Sequence, residues 1–301
     1  MFSPRVFWPY FALVALVILA VLTTAREFRR ARGLAKAYLL GSLSLAIPMA
    51  VFGAEHLSSS QAIMTSVPVW MPARLAWTYF VGVALIAAAL SIVTRVRVRL
   101  SATLLGIMLF CFVAMIHLPN AIASPHDRIA WTIVARDSSF GAGGILLGIV
   151  SRSGPRTPAE NRLRTALLYL IGAVTVFFGV EHFLHPECVP AVPLGKVVPG
   201  WIPLGHFWTV LTGILLVAGG GAMFVNRVSR QAAAGLGIWV LCLVLSLYLA
   251  LMIAQPDVEG VNYFTDTMVY AGVLLIASQA SESMRQDDPS LAPALAHEHG
   301  V

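Results

Sequence analysis

Nine apolar runs separated by short polar or basic stretches account for most of the chain. They lie near residues 8 to 25, 37 to 54, 75 to 94, 100 to 117, 138 to 150, 165 to 180, 206 to 225, 232 to 253 and 267 to 280. A helix needs roughly 20 apolar residues to cross the hydrocarbon core of a bilayer, and most of the runs approach that length. The pattern predicts an all-α integral membrane protein with nine transmembrane helices. The fifth run is the shortest and needs the amphipathic residues before it to reach across.

The runs are not independent. "FGAEH" at 52 to 56 returns as "FGVEH" at 178 to 182, and "VPVWMPARLAW" at 67 to 77 returns as "VPGWIPLGHFW" at 198 to 208. The correspondence continues through Gly82 with Gly213, Arg99 with Arg230, Gly106 with Gly237 and Cys111 with Cys242, and then "DSSFGAGGILL" from Asp137 matches "DTMVYAGVLLI" from Asp266. Four successive spans therefore match four later ones in the same order, which predicts a tandem repeat of a four-helix unit. Units of even span number share one orientation, so their pseudo-twofold should run along the membrane normal. The expected division is residues 1–35 for a first helix and basic loop, 36–150 for one bundle, 151–163 for a linker, 164–282 for the second bundle and 283–301 for a disordered tail.

Composition agrees with this reading: 58% of the 301 residues are hydrophobic and 11% are charged, about half the charge of an average soluble domain. The net charge of +6 does not form one patch, which excludes a nucleic-acid surface. Of the 20 basic residues, 15 fall in alternate loops and the tail: Arg26 to Lys36, Arg95 to Arg99, Arg152 to Arg164, Arg227 with Arg230, and Arg285. The positive-inside rule makes those segments cytoplasmic, the N-terminus external and the C-terminus internal. Cleavage after the first span would leave a basic N-terminus outside, so an uncleaved helix is expected. Three cysteines are too few for a disulfide framework.

Candidate chemistry gathers at the outer helix ends. Glu55, His56, Glu181 and His182 are the candidate reactive groups, with His relaying protons and Glu orienting it. His117, Asp137, Asp266, Trp70 and Trp201 are candidate ligand contacts at the same level. If the helix continues to Pro186, Glu181, His182 and His185 fall at helical spacing and can converge on zinc or a similar divalent metal. The bland alternatives stay open: Glu–His pairs that fix helix ends, Asp137 and Asp266 as N-caps of the fourth helices, and an interfacial tryptophan belt. Cys111 and Cys242 are expected inside their spans as small hydrophobes, and Cys188 is expected to be the more reactive thiol.

The Phe-Gly-x-Glu-His helix ends, "HFLHP" at 182 to 186, the "VPxWxP" stretches and the glycines that follow them resemble the DoxX family of four-helix bacterial membrane proteins. The first half departs from that pattern, with "HLSSS" at 56 to 60 in place of "HFLHP". The resemblance implies a bacterial inner-membrane location and an association with quinone-coupled thiosulfate oxidation or thiol redox chemistry. On that basis the expected cofactor is a quinone, the expected substrate otherwise a small thiol or sulfur compound, and the expected partners are membrane lipids and a redox enzyme subunit. The alternatives are a small-molecule transporter and a noncatalytic membrane scaffold.

Overall fold

A computed structural model describes residues 3–287. Its described residues form nine long helices: α1 (Pro4–Arg30), α2 (Leu34–Ser58), α3 (Arg74–Val93), α4 (Val98–Ala123), α5 (Arg128–Val150), α6 (Pro158–Leu184), α7 (Gly205–Ala222), α8 (Ser229–Ala254) and α9 (Val258–Asp287). Eight of them, α1 to α8, are long and apolar enough to cross a membrane. Among the described residues the one extended pairing is a bridge between Cys188 and Val197. Large apolar side chains, including Phe11, Ile18 and Leu22 of α1, Phe80 of α3 and Ile107 of α4, are exposed. On a soluble protein such a surface would be an aggregation hazard; on a multi-pass membrane protein it faces lipid. The predicted disordered tail lies largely outside the described residues, α9 continuing to Asp287.

Local chemistry sets the helix starts. Thr157 and Glu160 form a capping box, Thr157 Oγ1 accepting from Glu160 N at 3.2 Å and Glu160 Oε2 from Thr157 N at 2.9 Å, and Pro158 takes the first position. Residues 151–157 lie between α5 and α6, and α6 begins inside the stretch 151–163 expected as a linker. Helix α5 starts at Asp127, whose Oδ1 accepts from Ile129 N at 2.9 Å and Ala130 N at 3.3 Å. At the start of α9, Asp257 Oδ1 accepts from Gly260 N at 2.8 Å. Asp127 and Asp257 are the caps, so the assignment of Asp137 and Asp266 to that role is corrected: both lie well inside their helices. The apolar runs understated α5 and α9 because the charged residues in them are paired internally and do not interrupt the helix.

Packing also departs from two self-contained bundles. Helix α2 lies on α3, α4 on α5, α6 on α7 and α8 on α9 as the repeat predicts, but α9 packs along both α2 and α5, and α5 meets α6. Helices α2 and α5, the first and last of residues 36–150, share few contacts. The centre is thus built from both halves at once. Close crossings use small residues, as membrane helices commonly do: a Cβ on Gly53 would meet Gly82 O at 2.7 Å, and one on Gly179 would meet Gly213 O at 2.9 Å.

Several features recur at one offset. Ala73 and Leu204, the residues before α3 and α7, both adopt left-handed backbone, with φ of 51° and 56°. Helices α4 and α8 each contain one π-helical segment, Val113–His117 and Val244–Tyr248. Such bulges turn the following side chains and frequently mark functional positions; these end on His117 and Tyr248.

Candidate functional site

Helices α2, α3, α4, α5 and α9 enclose a cavity of about 930 Å³, in the range typical of small-molecule sites. Most of its wall is apolar, including Met49, Phe52, Leu85, Met108, Phe112 and Phe140. Trp77, Phe80, Leu104 and Ile107 line it as well and are exposed, so the cavity reaches the lipid-facing surface between α3 and α4. Its polar end carries Glu55, His56, Thr78, His117, Arg136, Asp137, Asn262 and Asp266.

Four of these polar groups form a chain, Glu55 and Asn262 form a separate pair, and His56 and Thr78 bond to backbone carbonyls of their own helices. His117 Nε2 lies 2.9 Å from Asp137 Oδ2. Arg136 donates from Nε to Asp137 Oδ1 and from Nη1 to Asp266 Oδ2, each at 2.7 Å. One guanidinium thereby ties α5 to α9 through two buried carboxylates, the arrangement in which removal of one member is costly. Glu55 is also buried, and the Asn262 amide, turned to present its nitrogen, donates to Glu55 Oε1 at 2.6 Å. His56 donates from Nδ1 to Phe52 O at 2.7 Å. That bond leaves Nε2 as the basic nitrogen, and among the described residues no protein group bonds it.

The second half holds the same frame and fills it. The segment from Cys188 to Leu194 is buried against α6, α7 and α8. His182, fully buried, donates from Nδ1 to Phe178 O and accepts at Nε2 from Ala191 N at 2.9 Å. Tyr248 donates to Pro190 O at 2.6 Å, and Thr209 donates to Cys188 O at 2.7 Å. Glu181 pairs with Arg128 at 3.1 Å, and Arg128 also donates to Pro193 O at 2.6 Å. Glu55 and Glu181 are therefore each met by a residue near the start of the last helix of the opposite half, Asn262 and Arg128.

Of the sequence-derived candidates, Glu55, His56, His117, Asp137 and Asp266 come together at one cavity. Glu181 and His182 do not line this cavity; bonded to Arg128 and to backbone, they clamp a loop, which corrects their assignment as reactive groups. The metal site is corrected too. Helix α6 ends at Leu184, His185 turns to Glu187 with Nδ1 at 3.2 Å from Oε1, and both ring nitrogens of His182 are committed to backbone. Among the described residues no group of three or more His, Cys, Asp or Glu side chains is placed to hold a metal ion. Trp70 and Trp201 are 70% and 57% exposed and do not line this cavity, whose tryptophan is Trp77. Cys111 and Cys242 lie inside α4 and α8, as expected, but exposed on them, whereas Cys188, expected to be the more reactive thiol, is buried; burial also holds the Cys188 thiol above its usual range. Asn262 and Arg128 had no sequence signal, since each depends on which helices become neighbours; Thr78 was marked only by its match with Thr209, one residue beyond the repeated motif. No family model, curated protein or solved structure matches the chain.

Proposed function

We propose that this chain is a DoxX-like bacterial inner-membrane protein that binds a quinone-type ring with an apolar tail in its first-half cavity and takes part in redox chemistry there. The observation that carries the reading is the cavity itself: an apolar chamber open to lipid, closed at one end by His56 and the His117–Asp137 pair. A ring-and-tail molecule matches that division, with the tail leaving between α3 and α4. Histidine beside a carboxylate suits proton exchange with ring oxygens. Within the same proposal α9 is the ninth span, the N-terminus is external and the halves descend from a duplicated four-helix unit. The recurrences at Ala73 and Leu204 and at the two π segments support the duplication. A small thiol or sulfur compound fits less well, because the wall is mainly apolar and Cys188 is covered.

The test is titration of the detergent-purified protein with a short-tailed benzoquinone, followed by tryptophan fluorescence. Saturable quenching that largely disappears in Trp77→Phe is expected. Linear quenching of equal slope in both proteins would mean partition into the micelle and would remove the reading. Fluorescence of a Trp70→Phe variant should respond as wild type does, since Trp70 lies off the cavity.

A further inference from the structure

The second half fills with its own backbone the frame that the first half leaves as a cavity. Pro190 C=O and Ala191 N–H belong to one peptide unit. That single amide is gripped on its oxygen by Tyr248 Oη at 2.6 Å and on its nitrogen by His182 Nε2 at 2.9 Å. Thr209 holds the carbonyl of Cys188 beside it. The residues at the corresponding positions in the first half are His117, His56 and Thr78, and all three line the empty-centred cavity. His56 repeats the geometry of His182 down to its Nδ1 bond, with Phe52 O in place of Phe178 O. What differs is the covering loop. It spans residues 59–73 in the first half and 185–204 in the second, five residues longer, and the longer loop supplies the amide.

We infer that the first cavity selects a ligand whose polar end donates a hydrogen bond to His56 Nε2, as the Ala191 amide does to His182, with a second oxygen facing His117. This rests on the reading that the cavity binds a ring-and-tail molecule, and it names the form bound: the hydroxylated, reduced ring in preference to the oxidised one. A quinone offers only acceptor oxygens and leaves His56 Nε2 without a donor inside an apolar wall. A hydroquinone supplies the donor. An unpaired polar group in such a wall is costly, so the discrimination should be steep.

Three probes with the same alkyl tail separate the possibilities: an alkyl hydroquinone, its dimethyl ether and the corresponding quinone, titrated anaerobically into the full chain in detergent. The hydroquinone should bind about tenfold more tightly than either of the others, the factor expected for one hydrogen bond to a buried acceptor. In His56→Ala the preference should collapse while residual binding persists. Saturable binding of all three with equal affinity would overturn the donor inference and leave the cavity reading standing. Absence of saturable binding by any of them would overturn both. The wild-type comparison decides alone, so the outcome does not depend on whether His56→Ala folds.

Discussion

The two halves of this protein share a frame and differ in what fills it. In the first, Glu55, His56, His117 and Asp137 surround open space; in the second, Glu181, His182 and Tyr248 surround the protein's own backbone. The difference traces to a longer loop whose Cys188–Leu194 segment is buried, while the shorter loop of the first half is held by Arg74, which donates to Met64 O, Thr65 O and Val67 O. A histidine at the same helix position is thus a latch in one half and a cavity-lining group in the other. Residue identity and repeat position do not distinguish these roles; the loop does.

The sharpest way to break the comparison is to remove the two glutamate partners separately. Arg128→Ala leaves Glu181 buried without its cation and frees Pro193 O, a loss of about 3 kcal/mol at the lower end expected for a broken buried pair, because Arg128 is partly exposed. Asn262→Ala removes a neutral donor from Glu55 and should cost about 1 to 2 kcal/mol. Denaturation in detergent compares them, and equal losses would mean that the second half is no more dependent on its clamp than the first. Adding Glu181→Gln to Arg128→Ala should restore part of the loss.

A change in binding stoichiometry should follow from unplugging the second half. Replacing residues 186 to 197 with a flexible segment of seven residues, which brings the 185–204 loop to the 15 residues of the first half's, vacates the space beside His182, Thr209 and Tyr248. Binding of an alkyl hydroquinone, measured at equilibrium, should rise from one equivalent to two. A constant single equivalent, with the protein still folded, would show that the second frame is shaped only for its loop.

A smaller effect is expected at Tyr248. Changing it to Phe leaves Pro190 O buried without its donor, which should lower stability by about 1 to 2 kcal/mol while leaving affinity at the first cavity unchanged. His117→Phe, its positional counterpart, should do the reverse: weaken binding, with a lesser effect on the second half.

The sequence made some of this legible. Apolar runs located the spans because lipid-facing helices need unbroken hydrophobic surface, and α1 to α8 have it. Doubled motifs drew attention to Glu55, His56, Asp137 and Asp266, which meet His117 at one cavity. Two things were hidden. The crossing of α9 onto α2 and α5 is a tertiary choice, so Asn262 and Arg128 carried no local signal as partners for the glutamates. The extra loop residues were visible as a gap in the repeat, but whether inserted residues fill a cavity or lie over it depends on packing, and "HFLHP" read as ligand spacing only while the helix was assumed to reach Pro186.

The cysteines give the mildest test of the comparison and the one least disturbing to the fold. Cys111 and Cys242 occupy corresponding positions on α4 and α8 and both are exposed, but only Cys111 lines the cavity. A membrane-permeant maleimide should label the two at similar rates in the free protein and leave buried Cys188 slow. Saturating alkyl hydroquinone should slow labelling of Cys111 severalfold and leave Cys242 unchanged, as read by peptide mass spectrometry. Protection of both cysteines would place ligand beside each half and contradict the occupancy of the second frame by its loop; protection of Cys111 alone would locate the ligand between α4 and its neighbours, on the side where the wall opens to lipid.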